Sequence, residues 1–370
     1  MMGQPTGSSK NMSTGEVFRQ LFSEQLRLRP ESELGDLLKA LHQSVFGCGH
    51  LVSTDSLPLL EEELSCQPHN GYWAQIELLG ERFCRVPLAY LIQHGLSAAT
   101  LDQLFRLSAQ KPAGSIDTLE TGLMVLTDMV REGLLPFSEQ DTAQTIAQWR
   151  ADGFPACHHS ERVKEKYPVA YRVIHQEYLW VLPLLCRIDQ LLARQHGGIV
   201  ALEGGSASGK TTLAALLKQL YSCQVFHMDD FFLRPAQRTP ERLAEPGGNV
   251  DRERFLEEVL LPTVRKEPVR LCAYDCHTQS MRPPVLLPHC PLTIVEGAYS
   301  MHPALAPHYD LSAFLSISPE LQAERLRHRN TPEEQERFKS TWIPLELRYF
   351  TMTSIRERCD LILKSHSSPD

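Results

Sequence analysis

Gly204, Gly205, Ser206, Ala207, Ser208, Gly209, Lys210 and Thr211 spell G-x-x-x-x-G-K-T, between a short apolar run at residues 199–202 and a stretch of helical composition at 210–220. Phosphates carry several negative charges. A loop that turns successive backbone N–H groups inward at a helix N-terminus meets them with donors and the positive end of a dipole. Glycines let that backbone approach closely, where a Cβ would hinder it. Lys210 would reach the outer phosphates as a point charge, and the Thr211 hydroxyl would be a magnesium ligand. Residues 204–212, Thr212 included, are therefore expected to bind ATP with magnesium.

Such a loop serves switches and motors as well as transferases, so the carboxylates that follow carry the distinction. His227, Met228, Asp229, Asp230, Phe231 and Phe232 close the next apolar run, at residues 224–228. Two carboxylates there stand beside the phosphate loop, where an acceptor hydroxyl would enter. One can orient the attacking oxygen and take its proton. Aspartate is also common as a helix cap or turn residue.

The order G-G-S-A-S-G-K-T-T-L-A, H-M-D-D-F-F, V-E-G at 295–297, E-R-L-R-H-R at 324–329 and C-D-L-I-L near the end resembles the uridine kinase group of P-loop kinases. That group includes nicotinamide riboside kinase, phosphoribulokinase and a bacterial pantothenate kinase, and the likeness covers roughly residues 197–366, with the D-D-F-F step nearest to nicotinamide riboside kinase. The resemblance implies a catalytic base at Asp229 and a carboxylate, Glu296, that helps Thr211 and Asp229 hold the magnesium shell. It further implies a lid whose arginines, Arg325, Arg327 and Arg329, close over the phosphates. Asp251, in G-G-N-V-D-R-E-R-F, matches an aspartate that binds sugar hydroxyls, a task suited to a group accepting from two neighbouring hydroxyls at once; it also matches a helix cap. Tyr274 and Arg282 bracket a stretch resembling the loop that reads the base in uridine kinases. Here that stretch is one residue longer, carries Cys276 in place of an aromatic and shifts the histidine, which points away from uridine itself toward another ribose-bearing or polyhydroxylated acceptor.

The expectation for this half is an α/β P-loop kinase domain with a mainly parallel sheet, residues 191–370, transferring a phosphoryl group from ATP to a small-molecule hydroxyl. Short apolar runs at 199–202, 224–228, 292–295, 313–317 and 360–363 alternate with helical stretches, as βαβ units require, and a site is expected at the carboxyl ends of the strands. A nucleotide-dependent switch acting on a partner held by the first half is the rival reading.

Ahead of it, residues 15–190 repeat apolar side chains at three- and four-residue spacing, which predicts a mostly α-helical N-terminal domain after a polar, disordered tail at 1–14. Gly, Pro and Asn punctuate the pattern at 46–50, 67–71, 111–114 and 152–155. A hairpin is predicted at 72–87, turning at Leu79, Gly80 and Glu81, and the apolar segment 169–193 reads as a helix kinked, or two helices meeting, at Pro183, stopping at Gly197 and Gly198. Gly47, Cys48, Gly49, His50, His158, His159 and the run 167–172 are conspicuous but match no ligand template. The half is expected to shape substrate access, to regulate or to dimerise.

Bulk properties narrow the partners. The chain has 370 residues, 42% hydrophobic and 22% charged, with a net charge of −8, enough apolar material for two cores and no basic footprint for nucleic acid. No apolar run suits a signal peptide or a membrane span, and ten cysteines without a secretory signal suit reduced thiols, so a cytoplasmic protein is expected. Cys272, Cys276, His277, His289 and Cys290 form only part of a zinc pattern and read as loop residues. The acceptor's identity and the oligomeric state stay open.

Overall fold

The computed structural model describes residues 12–66, 74–276 and 278–365. The chain divides into two compact units, Met1–Leu179 and Trp180–Asp370. Among the described residues no helix is long and apolar enough to cross a membrane.

The first unit is mostly helical. Its helices are α1 (Thr14–Leu28), α2 (Leu34–Phe46), α3 (Ser56–Ser65), α4 (Leu88–His94), α5 (Ala98–Ala109), α6 (Ile116–Arg131), α7 (Glu139–Ala151) and α8 (Glu161–Lys166). Serines set many of the starts: Ser13, Ser97, Ser115, Ser138 and Ser160 each accept a hydrogen bond from the N–H three residues on, satisfying a donor the helix leaves open. Strands β1 (Glu77–Leu79) and β2 (Phe83–Pro87) pair antiparallel, turning through Gly80 at φ +66°. This is the predicted hairpin; its first residues, from Tyr72, and the 67–71 break lie outside the described residues.

The segment 169–193 differs from the expectation of a helix kinked, or two helices meeting, at Pro183. Tyr171–His175 is a strand, β3, that completes a sheet of order β1-β2-β3. The reason is local and tertiary together: Tyr, Val and Ile favour a pleated, half-buried surface, and β2 would otherwise present an open edge. The helix proper, α9 (Leu182–Gln195), begins in the second unit with Pro183 in its first turn, where a missing N–H costs nothing. Its cap is His196 at φ +57° rather than a glycine. Gly197 is needed for another reason, because a Cβ there would collide with the Pro291 carbonyl.

A polar network lies inside the first unit. The Arg85 guanidinium donates to Glu77 Oε1 at 2.7 Å, Gln25 Oε1 at 2.9 Å and Gln43 Oε1 at 2.9 Å and lies 4.8 Å from the Tyr171 ring centre. His159 joins Asp36, at 2.9 Å, to the Tyr171 hydroxyl, at 2.7 Å. Acid attacks this network from one direction. Burial lowers His159 from 6.5 to about 4. Burial works to raise Asp36 and Glu77, but the bonds from His159 and Ser160 in one case, and from Arg85 and Arg29 in the other, hold both at about 2.

Each of these groups binds protons more weakly folded than unfolded, so the stability it contributes is present above the unfolded pKa and lost as pH falls toward the folded one. The window opens below 6.5 for His159 and below 4.5 and 3.8 for Glu77 and Asp36. Hydrogen exchange of the β1–β3 amides in the full chain, corrected for intrinsic rate, is expected to lose protection from about pH 6 downward and fastest below about pH 4. Unchanged protection over that range would contradict the assignment.

The second unit alternates strands and helices. Strand β4 (Gly198–Gly204) leads into α10 (Lys210–Leu220), and β5 (Cys223–His227) into short helices α11 (Pro240–Ala244) and α12 (Arg252–Phe255). The latter continues through a π-helical Leu256–Leu260 into α13 (Leu261–Val264). Two small antiparallel pairs follow, β6 (Val269–Leu271) with β9 (Val285–Leu287), and β7 (Tyr274–Asp275) with β8 (Ser280–Met281). Then come β10 (Leu292–Glu296), β11 (Leu311–Ser316), α14 (Pro319–Arg329), α15 (Pro332–Arg337), α16 (Ile343–Thr353), α17 (Ile355–Arg358) and β12 (Leu361–Lys364).

Five strands form one parallel sheet of order β12-β11-β4-β10-β5. They coincide with the five predicted apolar runs. The central strands β4 and β10 are buried nearly throughout, as a sheet covered on both faces requires. Phe226, Met228, Phe231, Phe255, Val295, Tyr299 and Tyr349 pack within one core. Parallel pairing brings the carboxyl ends of β4, β10 and β5 side by side, with Glu296 in register with Leu202 on one flank and His227 on the other.

Candidate active site

The loop between β4 and α10 has the backbone that phosphate binding needs. Gly204 sits at φ +148°, Ala207 at +60° and Gly209 at +96°, and Gly209 is the N-cap of α10. A Cβ on Gly204 would stand 2.6 Å from the Leu315 carbonyl oxygen, so the loop's first residue has no room for a side chain. The opening N–H groups of α10 have no intrahelical acceptor. The Ser208 hydroxyl is buried without a partner, and Thr212 stands exposed on the first turn. Lys210, buried, curls over the loop and donates to the Gly204 and Gly205 carbonyls, each at 2.9 Å.

Three strand ends converge here. Thr211 Oγ1 donates to Glu296 Oε1 at 3.0 Å. The same carboxylate oxygen lies 2.6 Å from His227 Nδ1. Burial would raise Glu296, yet His227 and Lys210 hold it below the usual glutamate value. His227 is raised in turn, first by that hydrogen bond. Asp229, two residues beyond β5, is exposed and makes no hydrogen bond or ion pair with a described residue. Surrounding protein pushes its pKa up and neighbouring Glu296 adds to this, while Lys210 pulls it down. A carboxylate left without a partner beside a lysine and a second acid is free to accept from something that enters.

These groups fit a nucleotide with magnesium. The loop has the donors and the glycine clearances, and Thr211, Glu296 and Asp229 provide hard oxygen atoms. Among the described residues no three His, Cys, Asp or Glu side chains are placed to hold a metal. Magnesium rarely needs such a cage, being bound by one or two carboxylates plus phosphate oxygens. His277, from the Cys272 and Cys276 cluster, lies outside the described residues.

The remaining candidates are distributed unevenly. Arg325 reaches the loop: its Nη1 donates to the Ala207 carbonyl at 2.9 Å and to Ser365 Oγ at 2.7 Å. Arg327 and Arg329 are exposed; Arg327 turns back to the Ala323 carbonyl, and Arg329 donates to Asn330 and lies over the Phe338 ring. Asp251 is buried as the N-cap of α12, accepting from the Arg254 N–H at 3.3 Å and from Gln237 Nε2 at 2.8 Å. Tyr274 is buried with its hydroxyl unpartnered. Arg282 is paired with Asp275 at 3.0 Å.

Three site residues escaped the sequence. His227 was in view within H-M-D-D-F-F, but only the register of β5 on β10 sets it against Glu296. Glu203, next to the loop, is fully buried. Glu346 comes from α16 and meets Ser206 through both the N–H, at 2.9 Å, and the hydroxyl, at 2.5 Å. Nothing in the local pattern of residues 343–353 marks that glutamate.

No family model and no curated protein matches the chain. Among solved structures it is similar to a possible uridine kinase from Bacillus stearothermophilus, at 22% identity over 49% of this chain and 100% of that one, with a TM-score of 0.37. It is similar to TT1252 from Thermus thermophilus, at 20% identity over 47% of this chain and 91% of the other, TM-score 0.26. A shikimate kinase from Bacteroides thetaiotaomicron follows at 13% identity, over 47% of this chain and 89% of the other, TM-score 0.27. The fold itself rests on this chain's own geometry: a five-stranded parallel sheet with a G-x-x-x-x-G-K-T loop between a central strand and the helix it caps.

Proposed function

We propose that the protein is an ATP-dependent phosphotransferase acting on a hydroxyl of a small nucleoside-like or sugar-like molecule. The observation that carries this reading is the meeting of Thr211, Glu296 and Lys210 beside an exposed, unpartnered Asp229. The loop amides and Lys210 hold the phosphates. Thr211, with Glu296 and Asp229, would hold magnesium, which when bound would neutralise charge on the phosphate oxygens. Asp229 orients the acceptor hydroxyl and takes its proton as the oxygen attacks the terminal phosphorus, and the bond to the departing diphosphate oxygen breaks. His227 fixes the Glu296 carboxylate through the same oxygen that Thr211 reaches. Positioning and charge neutralisation supply most of the rate in such a transfer, since little covalent help is needed.

The test is ADP release from ATP and magnesium across a panel of nucleosides and sugars. At least one acceptor should raise turnover by about tenfold or more over acceptor-free hydrolysis. Hydrolysis that no acceptor stimulates, and that survives Asp229→Asn but not Lys210→Ala, would instead favour a nucleotide-dependent switch.

A further inference from the structure

The phosphate loop already holds an anion belonging to the protein. Glu346 takes the Ser206 N–H and hydroxyl with a carboxylate that is only 5% exposed. The contact is steric as well as polar, since a Cβ on Gly205 would stand 3.3 Å from Glu346 Oε2 and 3.3 Å from Gln322 Nε2. Gln322, from α14, in turn donates to the Ser206 carbonyl at 2.7 Å. Both faces of this one residue are thus clasped by the helices that follow β11. The Lys210 ammonium rests on the Gly204 and Gly205 carbonyls, each at 2.9 Å, and Glu346 reaches the same stretch of loop at Gly205 and Ser206. A terminal phosphate drawn to Lys210 would therefore enter on the side that Glu346 occupies.

We propose that Glu346 is the specificity-determining residue by which the loop distinguishes a nucleoside triphosphate from a diphosphate. A terminal phosphate approaching Asp229 comes against the Glu346 carboxylate and competes with it for the Ser206 N–H. Like charges a few ångströms apart in a partly dry site repel by more than thermal energy, so Glu346 yields its place when a triphosphate binds and regains it once the phosphoryl group has left. A diphosphate, ending short of that position, leaves the Glu346 clasp undisturbed. The inference rests on the nucleotide-binding part of the proposed function.

Titration of the full-length protein with a non-hydrolysable ATP analogue and, separately, with ADP, magnesium present, tests it. Glu346→Gln keeps an acceptor for the Ser206 N–H and removes the charge. The analogue is expected to bind this variant about tenfold more tightly than it binds the wild type, with ADP affinity changed by less than about twofold. Equal shifts for the two nucleotides, or weaker analogue binding, would overturn the role of Glu346 while leaving the loop a nucleotide site. A wild-type protein that binds neither would overturn the proposed function and this inference with it. Should Glu346→Gln fail to fold, Glu346→Asp, whose shorter arm withdraws the charge from Ser206, is expected to move the analogue-to-ADP affinity ratio in the same direction, and an unchanged ratio overturns the proposal.

Discussion

Asp229→Asn is expected to bind ATP and magnesium within about threefold of the wild type and to lose about 10²- to 10⁴-fold in acceptor phosphorylation. The asymmetry follows from where the side chain stands. Asp229 is exposed and bonded to nothing described, so the asparagine fits the same space and disturbs no hydrogen bond of the fold. Nucleotide and magnesium binding draw on the loop amides, Lys210, Thr211 and Glu296, which the substitution leaves alone, and asparagine keeps an oxygen where Asp229 would face the metal. What disappears is an accessible carboxylate that is free to take a proton; Glu296 is committed to Thr211 and His227. An asparagine can still orient a hydroxyl through its carbonyl oxygen but cannot accept the proton. The measurement is paired: analogue affinity by titration and single-turnover transfer to the best acceptor. Loss of both in parallel would mean Asp229 serves chiefly to bind magnesium, and retention of transfer would remove it from the chemistry.

Much of this unit was legible in the sequence because parallel strands covered on both faces leave continuous apolar runs, and all five appear as predicted. The 210–220 helix does too, since a glycine cap and apolar spacing coincide there. The phosphate loop was legible for a different reason: its glycines answer local backbone demands, seen at Gly204 and Gly209. Contacts between distant segments were not. His227 against Glu296 depends on strand register, and Glu346 on Ser206 spans 140 positions. Asp251 shows the limit from the other side, because a helix cap and a ligand for hydroxyls look alike in sequence, and the cap's bonds are formed. In the first unit, β3 was hidden because its apolar residues run straight on toward a genuine helix, and only the open edge of β2 decides between them. The Arg85 network was invisible as well, its members being scattered from Gln25 to Tyr171 with polar types that ordinarily face water.

Glu203→Ala is expected to cost about 4 kcal/mol or more of stability in the second unit and to abolish nucleotide binding, although the residue touches no ligand position. Its carboxylate accepts from the Gly204 N–H at 2.9 Å, the Tyr299 N–H at 3.1 Å, the Met301 N–H at 3.0 Å and the Tyr349 hydroxyl at 3.1 Å. It therefore ties the first residue of the phosphate loop to the turn after β10 and to α16. Alanine would strand these donors in a fully buried site, each at about 1–3 kcal/mol. Glu203→Gln separates packing from charge. Burial pushes the Glu203 carboxyl up from 4.5 to about 7 despite its donors. The fold then holds this proton more tightly than the unfolded chain, so the stability the group contributes is complete below about pH 4.5 and lost as pH rises through about 7. Protection of the β4 amides in the wild type should accordingly fall between about pH 5 and pH 8, and the glutamine variant, with no proton to lose, should show a flatter profile at lower overall stability. A wild-type profile that is flat over this range would mean that the donors outweigh burial and keep Glu203 ionised. The alanine prediction would then stand with greater force, because the donors would have lost a full negative charge.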